Sequence, residues 1–178
     1  MIEIMQSIQP KWCELIISGK KTIEVRKTRP KCDTPFKVYI YCTSGAWLII
    51  GTENAARCYY GNGKVIGEYI CDEVLEYPYI DDGYSSGGDY LTITREGYIL
   101  MCLDRADLLT YGNGDTLYGW HISNLKIYDT PKDICEFYHP CPYTEKPCSL
   151  CKYADWENNL LDCRKVLKRP PQSWCYVM

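Results

Sequence analysis

The chain has 178 residues, enough for one packed domain with a small appendage, and its 46% hydrophobic and 24% charged residues are those of an ordinary globular protein. A formal net charge of −3 argues against a protein that coats nucleic acid by bulk electrostatics. The longest uncharged run, residues 38–52, contains Thr, Ser and Gly and is too short to span a bilayer, so no membrane partner is expected.

The charge is uneven. Residues 1–37 hold eight basic groups against four acids, a local +4 that suits a short, specific anionic ligand better than a long duplex. The opening, MIEIMQSIQPKWCEL, lacks a basic flank followed by an apolar core, so secretion is not expected. The 12 cysteines therefore read as buried thiols and metal ligands in a reducing cytoplasm, not as disulfides.

The first element is a short helix led by Pro10, with Trp12, Leu15 and Ile16 on its apolar face. Gly19 supplies the left-handed residue that ends it. TIEVR then alternates: Ile23 and Val25 face one way, Thr22, Glu24 and Arg26 the other. Residues 38–42 (VYIYC) predict a second strand, 43–63 a loop-rich stretch, and 64–77 (KVIGEYICDEVLEY) a longer strand with Gly67 as a possible bulge. Residues 81–89 form a further loop. A short helix is expected to begin at Asp104, carry Leu108 and Leu109 on its apolar side and stop at Gly112. Residues 117–128 (LYGWHISNLKIY) return to strand. Thr130, Pro131 and Asp133 predict a helix start, with Ile134 and Phe137 on that helix. Residues 174–177 form a closing strand. Strands at irregular spacing with short helices describe a small mixed barrel.

From Cys135 onward the character changes, because half of the cysteines fall between Cys135 and Cys175 among prolines and few aliphatic residues. Cys141, Cys148, Cys151 and Cys163 include one Cys-x-x-Cys pair, which can supply two ligands of a tetrahedral zinc site from one turn. His139 and Cys135 are spare ligand candidates. A structural zinc is the expected cofactor, since little else in this stretch would order it. Cys42, Cys71 and Cys102 sit in apolar stretches and read as core thiols. His121, alone in a strand, reads as packed and hydrogen-bonded.

The string SIQPKWCELIISGKKTIEVRK resembles the opening of ASCH domains, relatives of the EVE and YTH domains in the PUA-like superfamily. The shared pattern is a proline-led helix followed by Gly-x-Lys-x-x-Glu-x-Arg, here Gly19, Lys21, Glu24 and Arg26. VYIYCTSG, KVIGEYICDEV, YGWHISNLKIYDTPKDICEFY and RPPQSWCYV extend the resemblance over nearly the whole chain, the loops and the cysteine-rich insertion apart. The ending resembles ASCH proteins of bacteria and their phages. The resemblance implies an α+β fold: a single PUA-like mixed β-barrel over residues 1–178 with short flanking helices. The Cys-rich insertion, at about 135–165, precedes its last strand.

It also implies a cleft beside the helix-to-strand turn for RNA or a modified nucleoside. The residue chemistry agrees. Lys21 offers a point charge, Arg26 a planar fork for phosphate or base, and Glu24 an acceptor for a base amino edge or an anchor for the two cations. Trp47, Trp120 or Trp174 could stack on an unpaired base, and Gln172 and Ser173 could present polar groups to the ligand. A second reading is hydrolytic, because a bacterial branch of the family cleaves the acetyl amide of N4-acetylcytidine with a lysine, a threonine nucleophile and a glutamate. Lys21 matches the lysine. The nucleophile's position holds Glu24, with Thr22 one pleat away on the same face, so the enzymatic reading rests on Lys21, Glu24 and Thr22 in altered roles. A third is protein interaction, as in a phage protein that blocks a host factor; a co-purifying protein indifferent to Lys21 and Arg26 would mark it.

Overall fold

The computed structural model describes residues 1–45, 48–51, 58–81, 90–140 and 166–178. Strand β1 (Glu3–Ile8) is buried at five of its six positions. Helix α1 (Pro10–Ile17) starts on its proline and buries Pro10, Cys13 and Ile16. The chain reverses at Gly19, whose φ of +69° is costly for any residue with a Cβ. Strand β2 (Ile23–Arg26) is buried at all four positions, and β3 (Phe36–Cys42) follows. Then come β4 (Ile49–Gly51), β5 (Cys58–Tyr60), β6 (Lys64–Cys71), β7 (Val74–Tyr77), β8 (Tyr79–Ile80) and β9 (Tyr90–Leu91). Helices α2 (Arg95–Met101) and α3 (Arg105–Gly112) precede β10 (Leu117–His121), β11 (Ser123–Lys132) and β12 (Trp174–Val177).

The strands form a five-stranded sheet in the order β11-β6-β3-β1-β12 and a three-stranded sheet in the order β2-β10-β7, with β4-β5 and β8-β9 as separate pairs. β1 and β3 are parallel, and the other named pairs are antiparallel. The chain turns directly from one of the two larger sheets into the other at residues 72–73 and at Ile122. There His121 donates its backbone N–H to the Glu73 carbonyl, and Ile122 donates to Thr22. Each of the expected long strands, 64–77 and 117–128, is therefore two strands meeting at a corner. The result is the mixed α+β barrel read from the sequence.

β11 continues through Pro131, and only a 3₁₀ turn, Ile134–Glu136, follows where a helix was expected. β11 is the sheet's edge strand and its register breaks between Ile127 and Lys132, so the N–H that proline lacks has no ladder partner to lose. Asp133 caps the turn instead, its backbone N–H donating to Glu136 Oε1 at 2.7 Å. Phe137 packs into a core cluster with Met5, Tyr39 and Val65.

Gly67 is not the bulged residue. Ile40 faces Gly67 and Tyr41 faces Val65, which leaves Ile66 as the extra residue. Gly67 is required for a different reason: a Cβ there would lie 2.5 Å from the Lys126 carbonyl oxygen of β11.

The main core holds Ile4, Ile8, Ile16, Phe36, Ile66 and Trp120 between α1 and the strands. A second core gathers Ile23, Val25, Leu117, Met101 and Leu108 under α2 and α3. α3 matches its expected bounds, with Asp104 accepting from the Asp107 N–H at 2.7 Å and Asn113 in the left-handed conformation after Gly112. Cys42 and Cys71 are buried as expected. Cys102 is a correction: it is half-buried, at the left-handed end of α2, because that turn lifts it out of the core.

Candidate functional site

The turn after α1 places the key side chains. The backbone N–H groups of Lys20 and Lys21 both donate to the Leu15 carbonyl, and the Thr22 N–H donates to Leu100. From there the pleat of β2 sends Ile23 and Val25 into the α2–α3 core and Glu24 and Arg26 to the opposite side. That side is a cleft of about 470 Å³.

The floor of the cleft is a buried chain of charges. Lys21, Glu24 and Arg26 are 2%, 6% and 7% exposed. Glu24 stands between the two cations, its Oε2 3.4 Å from Lys21 Nζ and its Oε1 3.0 Å from Arg26 Nη2. Lys21 also donates to the Met101 carbonyl at 2.6 Å. Arg26 donates from Nη2 to the Ser7 carbonyl at 2.7 Å and from Nη1 to Ser173 Oγ at 3.4 Å. Its Nε is buried and has no acceptor among the described residues. A buried carboxylate with two cations, themselves tied to carbonyls, is a rigid array whose groups hold one another in place.

Three other parts of the chain complete the walls. Ser7 and Trp12 come from β1 and α1, Gln9 from the junction between them, Asp107 and Tyr111 from α3, and Gln172 and Ser173 from the segment before β12. The Lys21 ammonium lies 5.2 Å from the Trp12 ring centroid. Desolvation raises the Tyr111 hydroxyl above its ordinary value against the opposing pull of Arg26, so it serves as a neutral donor and acceptor near pH 7. With Lys21 and Arg26 set against Glu24 and Asp107, the cleft is balanced in charge.

Five of the residues singled out in the sequence thus meet: Lys21, Glu24, Arg26, Gln172 and Ser173. Trp120 does not join them. It is wholly buried, edge-on to Phe36 with centroids 5.4 Å apart, because β10 runs between two other strands and turns this ring inward. Trp174 lies outside the cleft lining, beside Trp120 and Tyr176, and its indole N–H donates to Thr28 Oγ1 at 3.0 Å. Thr22 is half-buried and does not line the cleft, so lysine and threonine are not brought together there. His121 is hydrogen-bonded, its Nδ1 2.7 Å from Asp72 Oδ1. Trp47 and the four cysteines Cys141, Cys148, Cys151 and Cys163 lie outside the described residues. Among the described residues, no group of three His, Cys, Asp or Glu side chains could hold a metal.

Ser7, Gln9, Trp12, Asp107 and Tyr111 are contributions that the sequence did not reveal. Trp12 carried a signal, since it belongs to the apolar face of α1, yet it remains half-buried and turned toward the cleft. Asp107 and Tyr111 lie one helical turn apart on α3 and had none.

The family model of the ASCH domain matches residues 7–77, a span that contains Lys21, Glu24 and Arg26 but neither α3 nor Gln172 and Ser173. No curated protein matches the chain. The ASCH protein of Zymomonas mobilis has the same overall fold, with a TM-score of 0.53 at 17% identity, over 99% of this chain and 87% of that one. A serine-to-alanine variant of that protein gives 0.56 at 16% identity, over 99% and 88%. A tyrosine-to-phenylalanine variant gives 0.54 at 16%, over 99% and 90%. Residues 7–77 are accordingly similar to the ASCH domain, and the chain as a whole shares the α+β fold of the Zymomonas mobilis ASCH protein.

Proposed function

We propose that the cleft binds RNA or a modified nucleoside, with Arg26 and Lys21 as donors, Glu24 holding both, and the ring of Trp12 as a stacking face. ASCH domains are a PUA-like family associated with RNA binding. The observation that supports this cleft as the binding site is Arg26 itself, fixed by Ser7 and Glu24 yet left with a buried Nε–H that no group among the described residues satisfies. An unpaired buried donor costs about 1–3 kcal/mol, which a ligand acceptor would recover on binding. The cleft's volume is that of a site for a small organic group, not a duplex groove. Its balanced charge favours a mixed donor–acceptor edge such as a nucleobase.

The test is titration of purified protein with free nucleosides, N4-acetylcytidine among them, and with short single-stranded RNAs, beside Arg26→Ala and Lys21→Ala. Binding by the wild type with at least tenfold loss in Arg26→Ala is expected. Undiminished affinity in Arg26→Ala, or no binding to any of these ligands, would overturn the reading. The same N4-acetylcytidine samples, run on a chromatograph, address hydrolysis. Cytidine released by the wild type but not by Lys21→Ala would make the protein an amidohydrolase, with a nucleophile other than Thr22.

A further inference from the structure

We propose that the loop of residues 27–33, immediately after β2, is an anion subsite that carries the sugar-phosphate backbone of a single-stranded RNA whose base enters the cleft. This rests on the reading of the cleft given above and adds the part of the ligand that the cleft does not hold.

Lys27, Arg29 and Lys31 are all exposed, and among the described residues none has a carboxylate within 4.0 Å. Asp33 is the single acid on the loop. The three cations surround a second cavity of about 560 Å³, backed by Tyr118. The loop is held in shape before any ligand arrives. Trp174 Nε1 donates to Thr28 Oγ1 at 3.0 Å, and the Lys31 N–H donates to the Tyr176 hydroxyl at 2.9 Å, both from β12. A loop so held loses less conformational entropy when it binds.

The two cavities are lined by consecutive residues of the chain. Arg26 lines the cleft and the next residue, Lys27, lines the loop cavity, while the Lys27 ammonium lies 5.3 Å from the ring centroid of Tyr111, a cleft residue. Charge is divided between them. The cleft is balanced, and the surplus positive charge of an otherwise acidic protein lies just outside it on the loop. The matching ligand has an uncharged planar group joined to a run of anions, which is a nucleotide within a strand. An acidic protein segment would meet the cations but has no group for the cleft.

The experiment compares wild type with a triple variant, Lys27→Gln, Arg29→Gln and Lys31→Gln, none of them a cleft residue. Fluorescence anisotropy of a labelled short single-stranded RNA of randomised sequence is followed over a salt series, and calorimetry gives affinity for free nucleosides. Three phosphate contacts to a single strand contribute a slope of about −2 in log K against log salt, so the triple variant should lose that slope and roughly 100-fold in affinity near ~0.1 M salt. Nucleoside affinity should stay unchanged. An unchanged RNA slope in the triple variant, or no RNA binding by the wild type, would overturn the subsite. So would equal loss of nucleoside affinity, or poly-glutamate competing as strongly as RNA. If the triple variant loses RNA while Arg26→Ala keeps it, the loop binds polyanions and the cleft reading fails instead.

Discussion

Removing the Glu24 carboxylate should destabilise the protein more than removing either cation beside it. The side chain is 6% exposed and stands 3.4 Å from Lys21 Nζ and 3.0 Å from Arg26 Nη2, cations that are themselves 2% and 7% exposed. Glu24→Ala leaves two buried positive charges facing each other across the vacated space, with only neutral carbonyl and hydroxyl oxygens of Met101, Ser7 and Ser173 as partners. Breaking a buried pair from one side costs about 3–5 kcal/mol, and cleft water should hold the loss to the lower end, about 3 kcal/mol. For a chain of this size that is a fall in Tm of about 6–12 °C. The assay is urea denaturation followed by circular dichroism, with Lys21→Met and the double variant Lys21→Met/Glu24→Ala completing a cycle. The double variant should be more stable than the sum of the single losses predicts, by at least ~1 kcal/mol, because it removes one of the stranded charges. A loss below ~1 kcal/mol in Glu24→Ala, or strict additivity, would show that the three charges are solvated independently.

Three further outcomes are expected. Gly67→Ala should lower stability by about 1–3 kcal/mol in urea melts, because its Cβ would meet the Lys126 carbonyl at 2.5 Å and backbone cannot move aside as a side chain can; an unchanged midpoint would refute that close approach. Burial pushes the Asp72 carboxyl up, but hydrogen bonds from His121, its own backbone N–H and Ser123, together with the charge of His121, outweigh it, and its net value lies below the ordinary range. Its stabilisation is therefore complete above the unfolded value of about 4 and is lost as pH falls through the lower folded value. Because the pair is exposed, Asp72→Asn should cost only a few tenths of a kcal/mol at pH 7, and the gap to wild type should close between about pH 5 and pH 2; a gap that widens on acidification would contradict the assignment. From the spacing of Cys141, Cys148, Cys151 and Cys163 we expect one zinc per chain by elemental analysis, released on chelation or on Cys148→Ser/Cys151→Ser; metal-free protein from zinc-supplemented cells would refute it.

The elements legible in the sequence are those whose signals are local. Pro10 and Gly19 mark the two ends of the α1 region, Asp104 and Gly112 mark α3, and the alternation of Ile23, Glu24, Val25 and Arg26 separates core from cleft. Periodicity identifies faces but does not tell which face the rest of the chain will cover. Thus β1, enclosed by β3 and β12 with Gln6 and Ser7 turned inward, shows no alternation to read. The same limit explains the tryptophans. Trp120 and Trp12 are equally plausible stacking groups by residue type, and only the packing of Phe36 and Trp174 around Trp120 decides between them. Pro131 misled for a related reason, since it suits a helix start and an unpaired edge-strand position alike.

One wall of the cleft reaches it from far along the chain. Ser7 donates from Oγ to the Pro171 carbonyl at 2.6 Å, across 164 residues, and Arg26 donates to Ser173 across 147. Closing loops of that length costs entropy that no local contact offsets, and pairings so distant in sequence form slowly. A refolding chain should therefore regain its helices and the β3–β6 pairing while still unable to hold a ligand. On the proposed reading of the cleft, binding competence should return only when β12 docks against β1, and its recovery time should track that docking.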